Sequence, residues 1–322
     1  MWLAAAIRPI ALALPIWAAA MPASAQDYPA RPIHLVVGFP AGSGADIGAR
    51  WIGERLADGS KTTVVVENKP GAGSNIAIGL VAAARPDGYT ILFAASSAMA
   101  GSRFLYKDFR IDTEDALVPA ALLYRTNFVA TVAPTSAVGS VDALTRALKA
   151  KARNLHAYTN QTGQIAGAYY LAKVGARSEA VSYRTAAEAV ADLGSGTLDF
   201  MMLDGAFAAG QFRAGRIKPL AVTSARRSAA MPEVPSMQEA GVAGFEFAPF
   251  WAAYLPKGTA PEIVAKVTGW MIELVKLEAT RAQFATTGRI AIGEGPDAAR
   301  AELKLEIEKW RDAVRAAGVE PQ

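Results

Sequence analysis

"IHLVVGFPAGSGADIGARWIGERLA", residues 33–57, runs from an unbroken apolar segment through a glycine-rich bend into a helical pattern. Residues 33–39 read as a strand buried on both faces, as in a parallel sheet covered by helices. From about Asp46 to Ala57 the period changes, and Ile52 and Leu56 fall one turn apart. Strand, tight turn and helix in that order open a βαβ unit. The alternation continues with a strand at "TTVVVEN" (62–68) and a Gly-rich turn leading to a small-residue helix at "PGAGSNIAIGLVAAA" (70–84). Ser74 or Asn75 caps that helix, "RPDG" (85–88) stops it, and "YTILFAAS" (89–96) makes a third strand.

"ALLYRTNFVATVAP" (121–134) is apolar enough for a long extended strand, and a second block of the same design begins behind it. Its helices are expected at 140–151, where Val141, Leu144 and Leu148 share a face, at 165–174 and at 186–196. Its strands are expected at 154–160, 180–185, 198–205 and 217–225. The tail is an aromatic-rich extended stretch, "FEFAPFWAAYLPKGTAP" (245–261), then helices at 262–277 and from about Pro296 to Ala317. Their stripes, such as Leu303, Ile307, Trp310 and Val314, suit packing on the first block.

The first 25 residues stand apart. Arg8 precedes an apolar stretch ending Ala23-Ser24-Ala25, the pattern of a secretory signal cleaved after Ala25. Pro9, Pro15 and Pro22 interrupt that stretch, so it falls short of the roughly 20 apolar residues that span a bilayer. The expected product is an exported protein of 297 residues, long enough for two lobes. It carries 32 basic residues against 29 acidic, scattered rather than clustered, which argues against nucleic acid as a partner. With no cysteine, thiolate catalysis, disulfides and metal–sulfur sites are excluded. Both histidines, His34 and His156, lie in strand-like runs without an acid or nucleophile beside them.

The bend at 38–46 admits several chemistries. As a dinucleotide fingerprint it fails, because Ile47 stands where the third glycine belongs. As a nucleophile elbow built on Ser43, which would make a hydrolase, it has the wrong glycine spacing. Asp46, Asp199 and Asp204 are too isolated to hold a metal, and no cofactor is called for. Binding without chemistry fits better. Free N–H groups at a helix start favour a negatively charged oxygen, and the dipole adds about 0.3–1 kcal/mol. With no Lys or Arg in the loop, the donors are the amides of Ala41 to Ala45 and the Ser43 hydroxyl, a set suited to a carboxylate. The alternative is that the glycines serve the turn alone. "TNQTGQIAGAYY" (159–170) repeats the strand–turn–helix pattern in the second block, so two helix starts would face one cleft.

"YPARPIHLVVGFPAGSGADIGAR" (28–50), "VVVENKPGAGSNIA" (64–77), "ARPDGYTILF" (84–93), "LAVTSARRSAAMPEVPSMQEAG" (220–241) and "LPKGTAPEIVAKV" (255–267) together resemble the Bug family. These are extracytoplasmic solute receptors associated with tripartite tricarboxylate transporters. The resemblance runs from Tyr28 to Val319. It implies an α/β fold of the type II-like periplasmic binding protein kind, two hinged lobes each with a mainly parallel sheet flanked by helices. Lobe 1 would comprise 26–125 and 249–322, and lobe 2 would comprise 126–248.

The ligand implied is a small organic acid, a mono- or dicarboxylate and possibly aromatic, held by loop amides, hydroxyls and water. Matched position by position, the first-lobe loop is Phe39, Pro40, Ala41, Gly42, Ser43, Gly44 and Asp46, with Ser96 and Ser97 ending the third strand. In the second lobe the matching loop is Thr159, Asn160, Gln161, Thr162, Gly163 and Gln164, and Asp204 with Gly205 ends a further strand. Gly38 stands where the family usually has proline, and residues 159–170 depart from its serine-rich pattern. The implied partner is a membrane permease, with the chain itself a monomer. A sensory receptor showing its closed form to a signalling protein is the alternative role.

Overall fold

The computed structural model describes residues 28–321; the leader expected at 1–25 lies outside them. In chain order the first block is β1 (Ile33–Val37), α1 (Gly44–Ser60), β2 (Val64–Asn68), a 3-10 turn (Ala72–Ser74), α2 (Asn75–Ala82), β3 (Thr90–Ala95), α3 (Ser96–Leu105), α4 (Thr113–Ala116) and β4 (Leu117–Arg125). The second comprises β5 (Phe128–Val132), α5 (Val141–Ala150), β6 (Leu155–Tyr158), α6 (Gln161–Val174), β7 (Glu179–Ser182), α7 (Ala186–Gly194), β8 (Phe200–Asp204), α8 (Gly205–Arg213) and β9 (Lys218–Val222). The chain closes with β10 (Phe250–Pro256), α9 (Pro261–Lys276), α10 (Glu278–Thr286), β11 (Ile290–Glu294) and α11 (Pro296–Ala317).

Two sheets result. The first has six strands in the order β11-β4-β10-β3-β1-β2, and the second five in the order β7-β6-β8-β5-β9. The parallel arrangement expected from βαβ alternation holds for β2-β1-β3 and for β7-β6-β8. Antiparallel neighbours are added by β4, β5 and β10, the strands that carry the chain between the sheets. Both sheets are therefore mixed.

The stretch expected as one strand at 121–134 is two. It breaks at Thr126-Asn127, so that β4 ends in one sheet and β5 starts the other. Next to this break the return segment pairs with it: the Thr126 N–H donates to Pro249 O at 2.9 Å and Arg125 Nη1 to Ala248 O at 3.2 Å. Two adjacent, hydrogen-bonded crossings make a hinge. Residues 96–105, 205–213 and 278–286, which carry Ser, Gly, Ala and Thr in place of a clear apolar stripe, form α3, α8 and α10.

Local chemistry sets the helix ends. Ser43, Ser140, Asn160, Thr185 and Asp204 each accept from a backbone N–H in the first turn of the following helix. Ser74 instead has φ 83° and turns its hydroxyl to Gly38 O, so α2 begins without a side-chain cap. One apolar core lies between the first sheet and α1 with α9. Another starts under α2, α3 and α11 and continues through Phe247 and Phe250 to Phe128 and Ile165 of the second block. Its C-terminal helix α11 packs on α3 and β4, where the sequence stripe placed it, and also on α6 of the second sheet's layer.

His156, on β6, is 2% exposed, stacks on Phe200 with ring centroids 5.0 Å apart and has Nδ1 3.0 Å from Ser178 Oγ. Burial pushes its pKa down to about 4, although a backbone hydrogen bond pulls the other way. The folded protein thus binds fewer protons here than the unfolded chain between about pH 6.5 and 4, and stability is lost as pH falls through that window. From pH 7 to 5 we expect a loss of about 2 kcal/mol in urea-unfolding free energy, at about 1.4 kcal/mol per unit. His156→Gln should flatten that slope.

Candidate functional site: a cleft ringed by helix starts

In the turn after β1 a buried carboxylate fixes the backbone. Asp46 is 3% exposed; its Oδ2 accepts from Gly42 N at 2.8 Å and Arg50 Nε at 3.0 Å, and its Oδ1 from Asn68 Nδ2 at 2.9 Å. Asn68 Nδ2 also reaches Phe39 O, so the end of β2 and the turn are tied together. Burial alone would raise the Asp46 pKa, but the Gly42 amide, Arg50 and Asn68 outweigh it and hold it below the ordinary carboxylate value. Gly42 takes φ 78°, which favours glycine.

Not all the amides foreseen as donors are available. Gly42 N–H goes to Asp46, Ser43 N–H to Pro40 O at 3.2 Å and Asp46 N–H to Ser43 Oγ at 3.2 Å. Among the described residues no acceptor meets the N–H groups of Ala41, Gly44 and Ala45. The Ser43 hydroxyl accepts as a cap and keeps its own proton to donate.

The second turn follows the same plan. Asn160 Oδ1 accepts from Gly163 N at 2.8 Å and Asn160 O from Gln164 N at 3.1 Å, leaving the N–H groups of Gln161 and Thr162 without a described acceptor. Gln161 Oε1 accepts from Tyr106 Oη at 2.7 Å, a hydrogen bond from one lobe to the other. At the start of α3, Ser97 and Ala98 border the same space, again with no described acceptor for their N–H groups. The fourth helix, α8, is different: Asp204 Oδ1 accepts from Ala206 N and Phe207 N at 3.0 and 3.3 Å, and Gly205 N donates to Asn127 O.

These turns surround a cleft of about 580 Å³. Phe39, Trp251, Tyr124, Phe128 and Phe207 give it aromatic walls. Trp251 is held by Phe93 at 4.9 Å, Phe39 at 5.6 Å and Tyr124 at 6.0 Å between ring centroids. Asp204 is exposed into the cleft yet crowded by protein. That crowding raises its pKa, against the pull of the Phe207 amide, Arg289 and the Ala206 amide.

Of the nominated residues, Phe39, Gly42, Ser43, Gly44, Ser97, Asn160, Gln161, Thr162 and Asp204 line the cleft. The others stand behind it or beside it. Asp46 organises the turn from within; Ser96, fully buried, donates to Glu306 Oε2 at 2.9 Å and accepts from Phe250 N. Pro40 and Ala41 are exposed on the flank of the turn, Thr159 precedes the α6 cap, and Gly163 and Gln164 are committed to it. Gly205 is packed so closely on Asn127 that a Cβ would lie 1.9 Å from Oδ1. Arg289, Trp251, Tyr124, Asn127 and Phe207 join the cleft without having been nominated. The aromatic run at 245–251 signalled Trp251, but nothing local marks Arg289, which arrives from the turn between α10 and β11.

Two α/β lobes hinged by paired crossings, with helix starts opening on the cleft between them, define a periplasmic-type solute-binding protein. The chain belongs to the tripartite tricarboxylate transporter receptor family: the model described as "Tripartite tricarboxylate transporter family receptor" (TctC) matches residues 49–289. It is 32% identical over 304 residues to Protein BugT of Bordetella pertussis, covering 93% of each chain. The structure of the periplasmic binding protein BugD superposes with a TM-score of 0.79 at 28% identity, covering 92% of this chain and 100% of that one. An R. palustris protein solved with adipate gives 0.82 at 27% identity, with the same coverage.

Replacing Asp46 tests the turn. Asp46→Ala should cost about 3 kcal/mol in urea unfolding, the scale of a buried charge-assisted hydrogen bond together with the donors left bare. The Asp46 contribution is complete above the ordinary carboxylate value and is lost as pH falls through its depressed folded-state value. The variant should therefore show a shallower acid limb.

Proposed function

We propose that this chain captures a small organic carboxylate in the cleft and delivers it to a membrane permease of the tripartite tricarboxylate type. The supporting observation is the convergence of three helix starts, α1, α3 and α6, whose unmet N–H groups border one aromatic-walled space. Amides fixed in place by Asp46 and Asn160 lose little entropy on meeting an anion, and the walls accept an apolar body. A relative of the same fold was solved with adipate, a dicarboxylate of suitable size.

Capture works by population shift. A ligand touching both the α1 turn and the α6 turn gains contacts only when the lobes approach, so it favours the closed form by that differential affinity. In this reading lobe 1 is 26–125 with 249–322 and lobe 2 is 126–248, turning about the crossings at 126–127 and 248–249. Ligand contacts come from Phe39, Gly44, Ala45, Ser43, Ser97, Gln161 and Thr162. In this reading the ligand is released unchanged, as expected of a receptor of this family. Export to the periplasm with cleavage after Ala25 completes the picture.

Gly44 offers a clean test. A Cβ there meets no atom within 4 Å, so a side chain enters open space at the helix start without disturbing the fold. A panel of mono-, di- and aromatic carboxylates is screened by thermal shift. An acid at a hundred times its Kd stabilises the native state by about 2.7 kcal/mol. Gly44→Leu should keep the ligand-free urea midpoint and lose most of that gain. Full retention of affinity would exclude the α1 turn from binding.

A further inference from the structure

Among the described residues that line the cleft, two carry charge, and they have opposite signs and stand on opposite lobes. Arg289 comes from the turn before β11 in the first sheet. Its Nη2 donates to Gly44 O at 3.0 Å, its Nη1 to Thr287 Oγ1 at 3.1 Å, and its guanidinium lies 5.2 Å from the centre of the Tyr124 ring. It forms no ion pair with a described carboxylate, and it stands beside the helix start where the Gly44 and Ala45 amides are open. Asp204 ends β8 in the second sheet. Both donors that meet it, Ala206 N and Phe207 N, bind Oδ1, which leaves Oδ2 without a described partner.

That arrangement has a consequence for charge. One carboxylate placed at the α1 turn is matched by Arg289 and the open amides. Arg289 already draws on Asp204, so with one carboxylate bound beside Arg289 a second one reaching the α8 side would face Asp204 with that cation shared, and like charges brought together in a partly dry cleft repel. A donor group reaching the same place would meet a waiting acceptor, and a cationic donor would form a charge-assisted hydrogen bond. Phe39, Trp251 and Phe207 give the same cleft apolar walls.

We propose that the cleft selects an amino-carboxylate with an apolar body, its carboxylate at the α1 turn beside Arg289 and its ammonium on Asp204, in preference to a dicarboxylate. This rests on the carboxylate-binding reading above and narrows it. Asp204 then acts as the residue that sets specificity, and one zwitterion meets both charges.

The test uses two matched series on the full mature chain by titration calorimetry: 4-(aminomethyl)benzoate, 4-methylbenzoate and terephthalate, and 6-aminohexanoate, hexanoate and adipate. In each series the body is constant and the far end is ammonium, methyl or carboxylate. The amino member is expected to bind about tenfold or more tighter than its two companions in at least one series, equivalent to about 1.4 kcal/mol. Asp204→Asn keeps a competent helix cap, because asparagine and aspartate cap almost equally well. That variant should lose the amino preference and gain affinity for the dicarboxylate. An unchanged amino preference in Asp204→Asn would overturn the assignment to Asp204. A wild-type chain that prefers terephthalate or adipate, or ranks the methyl member level with the amino one, would overturn the selectivity while leaving carboxylate capture standing. Failure of every acid in both series to bind would count against the underlying reading.

Discussion

A strand-to-helix turn leaves the first N–H groups of the helix facing away from every carbonyl of their own helix. Here four such turns, before α1, α3, α6 and α8, open on one cleft, and the protein treats them differently. At α8 the Asp204 carboxylate and Asn127 O meet the donors from inside. At α1 and α6 a single residue, Ser43 or Asn160, caps one donor and leaves others open. The open amides stay aimed because the buried Asp46 carboxylate, bonded to Gly42, Asn68 and the exposed Arg50, holds the turn shut behind them. A loop held that way presents hydrogen-bond donors without first having to order itself, which is the condition for binding a small polar guest with little entropic loss.

Much of this was visible in the chain. The strands at 33–37, 64–68 and 90–95 are rich in β-branched and aliphatic residues and flanked by turn residues, and the amphipathic spacing of 141–150 and 296–317 leaves one reading open. The helix start after the glycine-rich bend followed from the same pattern. Elements whose sequence lacks a stripe were harder. Residues 96–105, SSAMAGSRFL, owe their helix to packing between β3 and α11 rather than to periodicity, and the run at 121–134 hides the crossing because Arg125, Thr126 and Asn127 do not interrupt its extended character.

The site was legible where it is local and illegible where it is assembled. Residues 39–44 and 160–162 sit in turns whose geometry a sequence pattern specifies. Whether a side chain in such a turn points out or in depends on its neighbours in space: Asp46 turns inward because Asn68 from the next strand and Arg50 one turn on are there to receive it. Ser96 and Ser97 are adjacent in sequence, yet the first is claimed by Glu306 from α11, some two hundred residues later in the chain, and the second faces the cleft. Arg289 enters from just as far away.

The C-terminal helix has a mechanical meaning beyond its part in the core. It is rooted against α3 and β4 through Trp310, whose ring lies so near Gly101 that a Cβ there would sit 2.7 Å away, and it leans on α6 across the hinge. A lobe that swings must therefore roll over the flank of this helix. Its flank is a surface that the layers of both sheets share.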